Sequence, residues 1–226
     1  PTAETKAAAH IQDYESAYKK SIADPEGFWS DVAKELEWFS PWTKVLEWDY
    51  PWAKWFVGAT CNIAYNCLDR HVKTWRKNKV AVIWVGENDQ ERVITYGELY
   101  RQVNRCANAL KKLGLKKGDR VTIYLPKVPE QIVAMLACAR IGVIHSVVYS
   151  GFSAPALASR IQDAEARLVI TADVGFDRGR VLNLKSVVDQ AVANSPTVEH
   201  VVVLRRQTPG VTLSTPKEID WHDWLK

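Results

Sequence analysis

Arg178 and Arg180 flank Gly179 in the segment Asp173, Gly175, Asp177, Arg178, Gly179, Arg180. A guanidinium presents forked N–H donors that match a phosphate group. Gly179 leaves room for the backbone to approach a ligand closely, and Gly151 does the same in the earlier segment Tyr149-Ser150-Gly151. Each segment follows an apolar run that reads as a strand, residues 143–148 and residues 167–172. In a parallel sheet with crossover helices, ligands gather at the carboxyl ends of the strands. The two runs are expected to be neighbours in such a sheet, so that the segments at their ends form a pocket for a nucleotide-like group. The same residues are also what an ordinary surface turn with two arginines would carry, and residue types alone leave both readings open.

The elements that would position these segments are legible. Pro129 and Glu130 open a helix with Ile132, Val133, Met135, Leu136 and Ala139 on one face, and Gly142 stops it. The apolar run 143–148 suits a strand covered on both faces. Ser153 can cap a helix that carries Leu157, Ile161 and Ala164 on one side. Upstream, residues 80–85 and 92–95 flank Gly86-Glu87-Asn88-Asp89 as a hairpin. Thr95 and Glu98 then form a capping box for a helix that ends at Gly114. Residues 120–125 read as a strand, 184–192 as a helix and 199–204 as a strand. Thr208-Pro209-Gly210 reads as a turn and 220–225 as a short aromatic helix. The spacing from Thr95 onward predicts an α/β fold: a doubly wound parallel sheet with crossover helices.

The N-terminal part differs. Seven of the ten tryptophans precede Arg76. Helices are expected over 7–20, over 25–39 behind an Asp24-Pro25 cap, and within 61–76. An irregular aromatic connection is expected between Pro41 and Pro51. The expected organisation is therefore a Trp-rich, mainly helical segment, 1–78, packed on an incomplete α/β body, 79–226. The alternation stops without a partner for its last unit, so the sequence reads as part of a longer protein.

Composition narrows the class. At 226 residues, 47% hydrophobic and 25% charged, this is a globular protein's balance. The net charge of +4 comes from scattered basic residues with no stripe, which argues against nucleic-acid binding. No run approaches the ~18 apolar residues of a membrane span. Cys61, Cys67, Cys106 and Cys138 match no zinc spacing and read as reduced, small core residues, which points to the cytoplasm. His145, inside a predicted strand, reads as a core histidine without chemistry.

Several motifs now combine: Asn66-Cys67-Leu68-Asp69-Arg70-His71, Thr95-Tyr96-Gly97-Glu98-Leu99, Lys117-Gly118-Asp119-Arg120-Val121, residues 135–142, Gly151-Phe152-Ser153, residues 167–173 and Gly179-Arg180. Together they resemble the N-terminal part of AMP-forming acetyl-CoA synthetases, in the adenylate-forming superfamily. The resemblance implies a two-step ligase. ATP and a carboxylate, with magnesium, give an acyl-adenylate and pyrophosphate, and CoA then displaces AMP. It implies that the phosphate loop, the acyl pocket, the adenine and ribose motifs and the C-terminal lysine lie beyond this sequence, so that the chain alone is inactive. It also implies no metal site here, and small-molecule partners only: acetate, ATP and CoA.

Within this chain the resemblance assigns the nucleotide end of CoA to Tyr149, Ser150, Gly151, Gly179, Arg180 and Leu182. Ser150 stands where the family usually has glycine, and Asp177 where it often has arginine. A carboxylate beside phosphate is unfavourable, and Arg178 is the neighbour that could take over the charge. A propionyl- or other short-chain acyl-CoA synthetase is the near alternative. A stand-alone CoA- or nucleotide-binding module is the more distant one. A nicotinamide dehydrogenase domain is the least favoured reading, because no Gly-x-Gly-x-x-Gly follows a strand.

Overall fold

The computed structural model describes residues 2–87, 89–207 and 209–226. Of the expected turns, Asn88 and Thr208 lie outside the described residues. The chain divides into two compact units, Pro1–Asn62 and Ile63–Lys226.

The first unit begins with three helices, α1 (Ala3–Ala8), α2 (Tyr14–Ala23) and α3 (Pro25–Ala33). Thr2, Asp13 and Asp24 cap them in turn, each accepting a backbone N–H three residues on. The helix expected over 7–20 is thus two helices, and α3 ends well before residue 39. The expected irregular connection is instead an antiparallel hairpin, β1 (Lys44–Asp49) with β2 (Trp52–Val57). Its tryptophans, phenylalanine and valines suit a pleated surface better than a coil. Trp38, Trp42 and Phe56 form an aromatic cluster with ring centroids 5.1–5.3 Å apart.

The second unit opens with a π-helical turn, Tyr65–Asp69, that runs into α4 (Arg70–Val72), followed by a 3₁₀ turn, Trp75–Asn78. The single helix expected here is therefore broken into short pieces. The hairpin of β3 (Val80–Val85) and β4 (Glu91–Thr95) forms as expected. The Thr95–Glu98 capping box is in place at the start of α5 (Tyr96–Lys112). Next come β5 (Arg120–Tyr124), α6 (Pro129–Ile141), β6 (Ile144–Val147), α7 (Ala154–Asp163) and β7 (Leu168–Ala172). A short hairpin, β8 (Val174–Asp177) and β9 (Arg180–Asn183), precedes α8 (Leu184–Ala193). Then follow β10 (His200–Leu204), β11 (Glu218–Asp220) and α9 (Trp221–Trp224).

Five strands form one sheet in the order β11-β10-β7-β5-β6, and every neighbouring pair is parallel. The chain leaves β5 towards β6 on one side, then crosses back to β7 on the other. With right-handed crossovers this places helices on both faces, and α6 packs with α5 while α7 packs with α8. β7 is buried along its whole length, and Val121–Tyr124 of β5 are equally enclosed. β6 departs from expectation. It is an edge strand, and Ile144 and Val147 remain 57% and 43% exposed, so its apolar run is not covered on both faces. Cys106 and Cys138 lie in the core, where burial pushes the Cys138 thiol up to about 12. Cys61 and Cys67 are exposed, contrary to the expectation that all four are core residues.

The two ends of the sheet differ in chemistry. At the amino ends of β5, β7 and β10, Arg167 bridges Asp119 at 2.8 Å and Glu199 at 2.7 Å. That end is a locked ionic seam. The carboxyl ends open into a cleft.

Candidate functional site

The strand order reverses at β5, because β6 lies on one side of it and β7 on the other, so the two strands expected to be neighbours are separated by β5. Such a reversal leaves a crevice at the carboxyl ends, since the following loops diverge to opposite faces. A cleft of about 530 Å³ occupies that position. Leu125, Pro126 and Lys127 enter it from the end of β5. Val147, Val148, Tyr149, Ser150 and Gly151 enter from the end of β6, and Gly175, Phe176, Asp177 and Leu182 from the β8–β9 hairpin. The β3–β4 hairpin contributes Trp84 to Glu87, and Trp84 is pinned by an N–H donated to the Lys127 carbonyl at 2.7 Å.

Tyr149, Ser150, Gly151 and Leu182 thus come together on one cleft. The Tyr149 ring is 66% exposed. It meets the edge of Phe152, with centroids 5.8 Å apart, and folds back over Gly151. A Cβ on residue 151 would sit 2.4 Å from the Tyr149 ring, so only glycine permits this ring position.

Arg178, Gly179 and Arg180 are placed differently. The segment expected to be a loop is the β8–β9 hairpin, and Arg178-Gly179 is its two-residue turn. Both have positive φ, 50° and 74°, which suits a tight hairpin that follows the twist of its strands. Arg180 starts β9 opposite Asp177. All three are exposed and lie outside the cleft's lining. The turn's two backbone N–H groups, of Arg178 and Gly179, point at the Glu87 carboxylate at 3.2 and 3.4 Å. The hairpin turn is therefore already engaged with an anion, supplied by the β3–β4 hairpin.

Sequence reasoning missed Arg206. It follows β10, lines the cleft, and lies over the Phe176 ring with 4.9 Å from guanidinium carbon to ring centroid. Burial pulls its pKa down, against the attraction of Asp173 and Glu130. Its side chain donates one long bond, 3.4 Å to the Val174 carbonyl, and joins no ion pair among the described residues. Several donors stay available to the cleft. The strand-end rule that singled out residues 149–151 would have found Arg206 too, had it been applied to the strand ending at Leu204. His145 is half-buried, and burial holds its imidazole towards the neutral form. Among the described residues no three His, Cys, Asp or Glu side chains are grouped to hold a metal ion, and no helix is long and apolar enough to cross a membrane.

Comparison with known proteins identifies the family. The family described as AMP-binding enzyme matches residues 68–224, and the one described as acetyl-coenzyme A synthetase N-terminus matches residues 14–67. An acetyl-coenzyme A synthetase of Chlorobaculum tepidum is 47% identical over 215 residues, covering 95% of this chain and 33% of the relative. One from Methanothrix thermoacetophila is 53% identical over 201 residues, covering 88% of this chain and 30% of the relative. The solved structure of an acetoacetyl-CoA synthetase from Streptomyces lividans superposes with a TM-score of 0.85 at 30% identity. That match covers 97% of this chain and 34% of that one. The chain thus spans about a third of the length of the curated relatives it matches. It belongs to the AMP-binding enzyme family and carries an acetyl-coenzyme A synthetase N-terminus ahead of that domain.

Proposed function

We propose that this chain is part of an AMP-forming acetate–CoA ligase, and that its cleft receives the nucleotide end of CoA. The ligase joins acetate to AMP with release of pyrophosphate, and CoA then displaces AMP to give acetyl-CoA. The relatives named acetyl-coenzyme A synthetase support the reaction. The observation that carries the site is the cleft at the strand reversal, where Tyr149, Ser150, Gly151 and Leu182 share one wall system.

In this reading the exposed Tyr149 ring stacks on adenine, and Gly151 lets the purine approach the backbone. Arg180, Gly179 and Arg178 on the hairpin take a phosphate of the same nucleotide. Acetate is the acyl group of the named relatives. The acetoacetyl-CoA synthetase among the similar structures marks the acyl chain as the more variable part of the assignment. The reading places the protein in the cytoplasm. It expects the 226-residue chain by itself to form no acyl-adenylate.

The test uses the full-length enzyme. Arg180→Ala removes one charge-assisted bond to phosphate, which typically costs about 1.5–3 kcal/mol, or roughly 10- to 150-fold in affinity. The KM for CoA should rise by that order, while acetate-dependent ATP–pyrophosphate exchange, which precedes CoA binding, stays near normal. A matching defect in Arg178→Ala identifies Arg178 as the substitute for an arginine at position 177. An unchanged KM for CoA, or an equal loss of exchange, refutes the site.

A further inference from the structure

The segment that carries Tyr149 is largely exposed, yet three of the four carbonyls of residues 149–152 are hydrogen-bonded within the protein. The Phe152 N–H closes the turn on the Tyr149 carbonyl at 3.0 Å. The Ser150 and Phe152 carbonyls lie 2.8 and 2.9 Å from one phenolic oxygen, that of Tyr124. A phenol has one proton, so Tyr124 shares it between two acceptors in a three-centre bond. Upstream, the Val148 N–H donates to the Ile123 carbonyl at 2.9 Å, tying the entry of the turn to the same strand.

Tyr124 is the last residue of β5 and is 1% exposed. Its neighbours Val121 and Ile123 are wholly buried and apolar, so a phenylalanine ring would satisfy the core at position 124 equally well. The hydroxyl is what packing does not explain. Burial raises its pKa, which keeps it a proton donor well above neutral pH. Its backbone is fixed as well, because the Thr171 hydroxyl donates to the Tyr124 carbonyl at 3.0 Å from the adjacent strand.

We propose that Tyr124 is a positioning residue for CoA: its buried hydroxyl holds the 149–152 turn in the shape that presents the Tyr149 ring to the nucleotide. This rests on the reading of the cleft as a CoA site. Binding on a turn that is ordered beforehand avoids the cost of ordering it on contact. Without the hydroxyl, two turn carbonyls lose their protein partner, and the Tyr149 ring, held over Gly151 by the turn's shape, is no longer fixed.

The experiment is Tyr124→Phe in the full-length enzyme, a change that keeps the ring filling the core. Loss of one shared neutral hydrogen bond predicts a KM for CoA raised about 3- to 10-fold. Turnover at saturating CoA and acetate-dependent ATP–pyrophosphate exchange should remain within about twofold. A purely structural tyrosine would affect both half-reactions alike. The double variant with Tyr149→Ala adds the decisive readout. If Tyr124 acts through the Tyr149 ring, the pair has the same KM for CoA as Tyr149→Ala alone. Unchanged KM in Tyr124→Phe, parallel loss of exchange, or additive effects in the double variant would each overturn the proposal. If Tyr149→Ala itself leaves the KM for CoA unchanged, the CoA reading of the cleft has failed and this role falls with it. If Tyr149→Ala raises the KM and Tyr124→Phe does not, the positioning role alone has failed.

Discussion

The Asp173 carboxylate accepts the backbone N–H of Arg206 at 2.8 Å, joining the carboxyl ends of β7 and β10. Asp173 is 2% exposed, and it also takes the N–H groups of Val174 at 2.7 Å and Gln207 at 3.2 Å. Its own carbonyl accepts from Leu184 and Lys185 at the start of α8. One residue thus fixes the strand end, the β8–β9 hairpin, the entry to α8 and the backbone that carries Arg206. Asp173→Ala leaves buried donors without an acceptor and should destabilise the fold by about 3 kcal/mol or more. Asp173→Asn turns one acceptor into a donor facing the N–H of Arg206 or Gln207, and should cost about 1–3 kcal/mol. Urea unfolding of the two variants checks this, and a loss below ~0.5 kcal/mol in both would contradict it.

Arg206 itself is held by its backbone and by its stacking on Phe176, with donors left for the cleft. Arg206→Met keeps much of the side chain's apolar contact and removes the charge. The expected result in the full-length enzyme is a KM for CoA raised about 10-fold with little change in thermal midpoint. Arg206→Lys should rescue only in part, because an ammonium does not stack as a planar guanidinium does. An unaffected KM in both variants would make Arg206 a structural cation only.

Glu87 presents its carboxylate to the two N–H groups of the Arg178-Gly179 turn. A phosphate arriving at that turn meets a negative charge already in place. Glu87→Gln removes that charge, and the KM for CoA should fall by about 2- to 5-fold as the repulsion is relieved. A raised KM would mean instead that Glu87 serves to hold the hairpin over the cleft.

The opposite end of the sheet sets the acid limit of the fold. The Lys116 N–H, helped by Arg167, holds the Asp119 carboxyl below its usual range, and the Arg167 guanidinium does the same for Glu199. A carboxylate whose folded pKa is depressed contributes stability that is present above its unfolded value of ~4 and lost as pH falls through the folded one. The urea midpoint should therefore be flat down to about pH 5 and fall below about pH 4. Asp119→Asn should flatten that fall more than Glu199→Gln, because Glu199 is half-exposed and its pairing is screened. Equal acid slopes in wild type and Asp119→Asn would contradict the assignment.

Local chemistry made much of this fold legible in the sequence. Thr95 and Glu98 mark a helix start wherever they occur at that spacing, and the runs at 120–125, 167–172 and 199–204 are apolar because the strands they form are enclosed. Tertiary placement was less legible. Ile144 and Val147 look like a buried strand, and only the strand order reveals them to be at an edge. The β8–β9 hairpin was hidden because its strands are four residues each, carry charge, and follow β7 after a single residue, Asp173. The β1–β2 hairpin was hidden by Pro41 and Pro51, which read as breakers. Tyr124 and Asp173 gave no signal, since their importance lies in carbonyls and N–H groups far away in the chain.

The proposed occupant of the cleft at the β5 reversal is the nucleotide of CoA. The most direct measurement is the crystal structure of the full-length enzyme bound to CoA. The account predicts adenine against the Tyr149 ring, bordered by Gly151 and Leu182, with a phosphate oxygen about 3 Å from the Arg180 guanidinium. Density for the nucleotide elsewhere, with Tyr149 and Arg180 both facing solvent, would contradict it.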